Sequence, residues 1–200
     1  MELIIIRHGL PLRIEKSDGS AADPDLSPEG LEQARKMALW LKNEKLDAIY
    51  CSPMKRAQQT AEPLAKIKQL DTIIEDGIAE IDQHSSAYVP LEEIKAKHPE
   101  QWQELIKKDY ETVFNEIQDI GQFRATVIKS LEKIVTENRG KRVAAVCHGG
   151  VINIWAVTFW RWKNHCFSTL NTPALTGLWL RAQECIVLSV LMKQLICVMT

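Results

Sequence analysis

The chain has 200 residues, 46% of them hydrophobic and 26% charged, with a formal net charge of -1 at pH 7. That length gives room for one domain with a full core, and the charge balance excludes the basic excess that a nucleic-acid surface requires. The five cysteines (Cys51, Cys147, Cys166, Cys185, Cys197) are odd in number and scattered, without the paired spacing of a zinc site, and fit a reducing cytoplasm.

No basic stretch followed by a long apolar run opens the chain, so no leader is expected. Leu3-Ile4-Ile5-Ile6 reads as a buried strand, ended by Arg7-His8-Gly9. Pro11 to Ala22 reads as a loop with turn chemistry at Asp18-Gly19-Ser20. Ser27-Pro28 is a capped helix start, and the helix is expected to run to about Asn43 with Leu31, Ala34, Met37, Ala38 and Leu41 facing a sheet. Asp47 to Cys51 reads as a second strand. Ser52 then reads as an N-cap and Pro53 as the first helical residue.

Ile73-Ile74 suggests a short strand, and Asp76 to Pro90 a loop. Helices follow around Leu91 to Lys97 and Trp102 to Lys108. Gly121 to Asn138 is a long amphipathic helix that buries Phe123, Val127, Leu131, Ile134 and Val135. Arg142 to Cys147 is another short apolar strand, ending in His148-Gly149-Gly150, and Val151 to Trp155 begins a helix. From Val151 to Trp162 the chain is apolar on more than one face, which suits either deep burial or a homodimer contact. Ala174 to Leu180 is a further strand candidate. The apolar tail from Cys185 to Met199 is interrupted by Lys193 and Gln194 and is short for a membrane span of ~20 residues. It is therefore read as a buried strand or helix, with no membrane partner. The six tryptophans are read as core or helix-packing groups. There is no repeat and no low-complexity linker, and the whole of 1–200 is taken as one domain with a helical cap inserted at about 76–120.

Three pieces carry chemistry. The first strand end delivers Arg7, a planar fork suited to phosphate oxygens, and His8, a nucleophile when neutral. His148 lies just ahead of a helix N-terminus, whose free N–H groups attract anions, and Gly149 and Gly150 let a ligand approach closely. Lys55 and Arg56 fall in the first turn of a helix, where the dipole disfavours cations. Helical side chains lean toward the N-terminus, so Arg56 is expected to point at the sheet edge carrying His8, and Lys55 to stay solvated.

With these pieces the chain resembles the histidine phosphatase superfamily, the phosphoglycerate-mutase-like proteins, and within it the small phosphatase branch. The resemblance rests on Arg7-His8-Gly9, on Asp25-Leu26-Ser27-Pro28-Glu29-Gly30 with Gln33-Ala34, on Ser52 through Ala61, and on Cys147-His148-Gly149-Gly150, in that order. It implies an α/β fold: a three-layer αβα sandwich whose mainly parallel sheet has helices on both faces and a pocket at the strand C-terminal ends. It implies a metal-independent phosphomonoester hydrolase, in which His8 attacks phosphorus to form a phosphohistidine and water then releases phosphate. Arg7, Arg56 and His148 would hold the non-bridging oxygens, with Gly149, Arg13 and Asp82 also on the substrate. A carboxylic acid must protonate the leaving oxygen. Glu80 is preferred for this role, with Asp82 as the alternative.

No cofactor is expected: the sequence has no Asp-x-Asp cluster, no His-x-x-x-His and no zinc-type cysteine pair. The partner is a small phosphorylated substrate. Arg13, Lys16, His84 and Tyr88 are candidates for the pocket mouth, weighed against plain surface roles. Two other readings stand beside the hydrolase. One is a phosphoglycerate-type mutase, against which Leu10-Pro11-Leu12 is apolar and Ser85 to Tyr110 holds no arginine. The other is a non-catalytic phospho-ligand binding protein of the same fold.

Overall fold

The computed structural model describes residues 1–107, 119–160, 179–182 and 185–191, the last two stretches as backbone. Its elements in chain order are β1 (Glu2–Arg7), β2 (Ile14–Glu15), α1 (Pro28–Trp40), β3 (Ala48–Cys51), α2 (Lys55–Lys68), β4 (Thr72–Ile74), a 3-10 turn (Asp76–Ile78), β5 (Ala87–Tyr88), α3 (Leu91–Lys97), α4 (Pro99–Lys107), α5 (Ile120–Glu137), β6 (Arg142–Cys147), α6 (Gly149–Trp160), β7 (Trp179–Ala182) and β8 (Cys185–Leu191).

Six strands form one sheet in the order β4-β3-β6-β1-β8-β7. The pairs β3–β4, β3–β6 and β1–β6 are parallel, while β8 is antiparallel to both β1 and β7. Strand residues alternate between faces, and two cores result. Leu3, Ile5, Val143, Ala145 and Cys147 pack with Phe123, Val127, Leu131 and Ile134 of α5 and with Val151, Ile154 and Trp155 of α6. Ile4, Ile6, Ile49, Cys51, Ala144 and Val146 pack with Met37, Ala38 and Leu41 of the α1 side and Ala57, Ala61 and Leu64 of α2. The central strands are thus buried on both faces, which is why they read as unbroken apolar runs.

Register brings the strand ends together. Arg7 lies opposite Cys147, and Cys51 opposite Val146. The amide of His8 continues the ladder onto the Cys147 carbonyl at 3.0 Å, and that of Ser52 onto the Val146 carbonyl at 3.0 Å. His8, Ser52 and His148 therefore leave three adjacent strands at one level.

Several expectations are corrected. Leu31 is 51% exposed rather than facing the sheet. The buried stripe of α1 is Gly30, Gln33, Ala34, Met37 and Ala38, and Leu31 lies one helical step, about 100°, from Gly30. Helix α1 ends at Trp40, not near Asn43. Trp40 is 41% exposed, so it is not a core group, whereas Trp155 is buried. Helix α2 starts at Lys55 with Met54 at the N-cap, two residues later than Ser52-Pro53 predicts. The late strand candidate is described only from Trp179, in β7, and 174–178 lie outside the described residues. Of the two readings of the tail the strand is the one found, as β8 beside β1; 192–199 lie outside the described residues. A two-stranded pairing, Ile14–Tyr88 and Glu15–Ala87, joins the two segments read as loops. Among the described residues, no helix is long and apolar enough to cross a membrane.

Candidate active site

The loop after β1 is held by backbone-to-backbone approach. A Cβ on Gly9 would stand 2.5 Å from the Gly30 carbonyl oxygen, and one on Gly30 only 2.1 Å from that of Leu10. Neither position has room for a side chain. The loop's polar groups are then satisfied by residues from the quoted motifs. Gly9 N–H donates to Thr60 Oγ1 (3.0 Å), Leu10 N–H to Gln33 Oε1 (2.7 Å), and the Ser27 hydroxyl to the Leu10 carbonyl (2.9 Å). Ser27 Oγ also caps α1 by accepting from Gly30 N–H at 3.0 Å.

His8 is buried, and the 2.8 Å contact of its Nδ1 with the Gly9 carbonyl can only be donated by the ring. The proton is thereby fixed on Nδ1, and Nε2 keeps its lone pair. Burial holds the imidazole pKa well below the usual histidine range, and the guanidinium groups of Arg7 and then Arg56 depress it further. His8 is therefore neutral at physiological pH. The His148 ring lies 5.0 Å from it, centroid to centroid, tilted by 57°. Burial, then Arg56, His8 and Arg7, likewise push its pKa well down.

Arg56, in the first turn of α2, is fully buried and points back to the sheet edge as expected. Its Nη2 donates to Asp82 Oδ1 at 2.9 Å, Asp23 stands 4.0 Å from Nη1, and its Cζ lies 4.6 Å from the centroid of the Tyr88 ring. Arg7 Nη1 donates to Glu92 of α3 at 3.0 Å. Among the described residues, five buried side-chain nitrogens or oxygens lack a hydrogen-bond partner. Four of them are Arg7 Nε, Arg56 Nε, Arg56 Nη1 and His148 Nδ1. Unpaired buried donors are costly and rare in folded proteins. Four gathered around one neutral imidazole form a cup suited to the oxygens of a tetrahedral anion.

Glu80 follows the 3-10 turn. Its two oxygens accept from Gly150 N–H (2.8 Å) at the start of α6 and from its own neighbour's Ile81 N–H (3.0 Å). Those bonds favour the carboxylate, but desolvation and then the charge of Asp82 outweigh them and raise its pKa to about 7. A carboxyl that is half protonated near neutrality can give or take a proton.

The predicted residues thus divide. Arg7, His8, Arg56, His148, Gly149 at the α6 N-terminus, Glu80 and Asp82 converge. Arg13 does not enter the cup: its side chain is 52% exposed and paired with Glu93 (3.4 Å) and Glu15 (3.9 Å). Lys55 and His84 are exposed, and Lys16 donates to the Ala21 carbonyl. Tyr88, weighed as a surface residue, instead packs on Arg56. Ser52, Asp23, Thr60, Gln33 and Glu92 have site contacts that local patterns did not reveal. Three of them, Ser52, Thr60 and Gln33, do stand inside the quoted motifs. No group of three or more histidine, cysteine or acidic residues suited to a metal ion occurs among the described residues.

The chain is 34% identical to phosphoserine phosphatase 1 of Hydrogenobacter thermophilus over 126 residues, which is 63% of this chain and 60% of that one. It is 29% identical to a metal-independent phosphoserine phosphatase of Arabidopsis thaliana, over 76% of this chain and 65% of the relative. In fold it resembles a mycobacterial glucosyl-3-phosphoglycerate phosphatase solved with VO3 (TM-score 0.61, 19% identity, 80% of this chain and 81% of that one). It also resembles a phosphoglycerate mutase of Bacillus anthracis (TM-score 0.57, 20% identity, 80% of each). The profile of the histidine phosphatase superfamily (branch 1) matches residues 3–185. That match covers well over half of the chain, and the chain belongs to that superfamily.

Proposed function

We propose that this protein hydrolyses phosphomonoesters of small metabolites through a phosphohistidine, without a metal. The observation that carries the reading is the neutral His8 with its Nε2 lone pair, set among four buried nitrogens that lack partners. In the first step Nε2 forms a bond to phosphorus while the ester P–O bond breaks. The leaving oxygen takes the proton of Glu80. Arg7, Arg56 and His148 hold the non-bridging oxygens as charge redistributes. In the second step water attacks phosphorus and its proton returns to Glu80. The N–P bond breaks, and inorganic phosphate leaves a neutral His8.

Glu80 is the proton carrier rather than Asp82 because its acidity is moved to about 7, whereas Asp82 is engaged with Arg56. In this reading the described part of 76–120 forms a cap over the cup, tied down by Glu92 on Arg7; 108–118 lie outside the described residues. The two buried free thiols, Cys51 and Cys147, fit a reducing cytoplasmic setting.

A hydrolase is favoured over a mutase by the pairing of the guanidinium groups. Arg7 is held by Glu92, Arg56 by Asp82, and Arg13 by Glu93. Among the described residues, Arg13, which stands outside the cup, is paired with Glu93 and Glu15 rather than open to the second phosphate of a bisphosphorylated intermediate. Hydrolysis of p-nitrophenyl phosphate in excess chelator tests the reading. Turnover is expected to persist, to be blocked by vanadate, which adopts a five-coordinate geometry like that of transferring phosphorus, and to vanish in His8→Ala. Loss of activity in chelator with recovery on adding a divalent ion would contradict it. So would efficient interconversion of 3- and 2-phosphoglycerate with little release of phosphate.

A further inference from the structure

We propose that Ser52 is a positioning residue that locks His148 in the Nδ1-protonated tautomer and so makes it a hydrogen-bond donor to the phosphate. Ser52 and His148 are both fully buried, and Ser52 Oγ lies 2.7 Å from His148 Nε2. The direction of that bond follows from the rest of the serine's environment. Its oxygen already accepts the Met54 N–H at 3.3 Å, and among the described residues its own proton makes no other hydrogen bond. The hydroxyl therefore donates to Nε2, which must carry the lone pair, and the ring proton sits on Nδ1. Nδ1 is buried without a partner, on a ring whose centroid lies 5.0 Å from that of His8. The opposite tautomer would leave the serine proton unused and set a bare lone pair against the phosphate oxygens.

Ser52 uses both ends of its hydroxyl: the oxygen accepts Met54 N–H just ahead of α2, and the proton goes to His148, 96 residues away in sequence. The first amide of α2, Lys55 N–H, donates to the two oxygens of Asp23 at 3.1 Å each.

The role of His148 as a phosphate donor rests on the hydrolase reading, but the tautomer can be read without it. In histidine-labelled protein, two-bond 1H–15N correlations of the ring nitrogens, assigned by their loss in His148→Asn, are expected to show a protonated Nδ1 in the wild type. They are expected to shift toward Nε2 protonation in Ser52→Ala. With p-nitrophenyl phosphate, Ser52→Ala is expected to lower kcat by about tenfold to a hundredfold with KM changed less than about threefold. Ser52→Thr, which keeps the hydroxyl, is expected to recover most of the loss. Added to His148→Ala, Ser52→Ala is expected to cost less than about twofold more, because the serine acts through that ring.

An Nε2-protonated His148 in the wild type would overturn the proposal even if every variant failed to fold. So would an unchanged kcat in Ser52→Ala, or the same fold-loss whether His148 is present or absent. A wild-type protein that hydrolyses no phosphomonoester would instead overturn the hydrolase reading, while the spectrum still decides the tautomer.

Discussion

The floor of the site and its mouth are built on opposite terms. At the floor His8, Ser52, Arg56 and His148 are buried at the ends of adjacent strands or the first turn of α2. Their hydrogen bonds run to backbone, to one another or, for Arg56, to Asp82, and several of their nitrogens are left without partners. At the mouth, Arg13 and Glu92 are about half exposed, Glu93 less so, and the cations are already neutralised by carboxylates. Exposed ion pairs of that kind contribute little, about 0–1 kcal/mol each. The difference is one of burial: the groups proposed to carry the chemistry are buried and partly unpaired, whereas those at the mouth are exposed and ion-paired.

The largest effect that would sharpen this contrast is on the proton carrier at the floor. Glu80→Gln is expected to slow an alkyl phosphomonoester by about a hundredfold or more, and p-nitrophenyl phosphate, whose leaving group needs no proton, by less than about tenfold. The wild-type rate on the alkyl ester is expected to fall as pH rises above about 7, as Glu80 loses its proton. That limb disappears in the variant. His8 adds no acid limb near its ordinary value, because its pKa lies well below 6.5. Equal slowing of both esters would point instead to Asp82 as the acid or to a structural role for Glu80.

A smaller effect is expected from the scaffold beneath the floor. In Gly30→Ala the new methyl would meet the Leu10 carbonyl oxygen at 2.1 Å, so the loop carrying His8 must shift. The expected cost is about 1–3 kcal/mol of stability, read from urea unfolding. A loss of kcat should accompany it, since small misplacements of reacting groups are costly. Wild-type stability and turnover together would show that this backbone crossing does not set the site. The smallest effect belongs to the mouth. Arg13→Ala is expected to change kcat/KM on p-nitrophenyl phosphate by less than about threefold. A large loss there would erase the distinction between floor and mouth.

Much of the floor was legible in the sequence because it is written locally. An apolar run followed by Arg7-His8-Gly9, and another followed by His148-Gly149-Gly150, mark strand ends without knowledge of the fold. Arg56 was legible as a cation in the wrong end of a helix. Ser52 was misread for the same reason that these were read well: Ser-Pro is what a helix start looks like, and its true partner lies on another strand. Leu31 was misplaced because an apolar residue was favoured over Gly30 and Gln33, whose burial comes from contact with the loop after His8. Tyr88 and Glu92 could not be found by pattern. Each meets its arginine through the folding of a long excursion, and no local rule sets that meeting.

The central claim is that His8 is the atom to which phosphorus transfers, and rapid acid-free quenching during turnover of a 32P-labelled phosphomonoester tests it most directly. The account predicts an alkali-stable, acid-labile label on the peptide containing His8, formed at a rate compatible with kcat and absent in His8→Ala. Full turnover without any labelled protein, or a label that survives in His8→Ala, would contradict it.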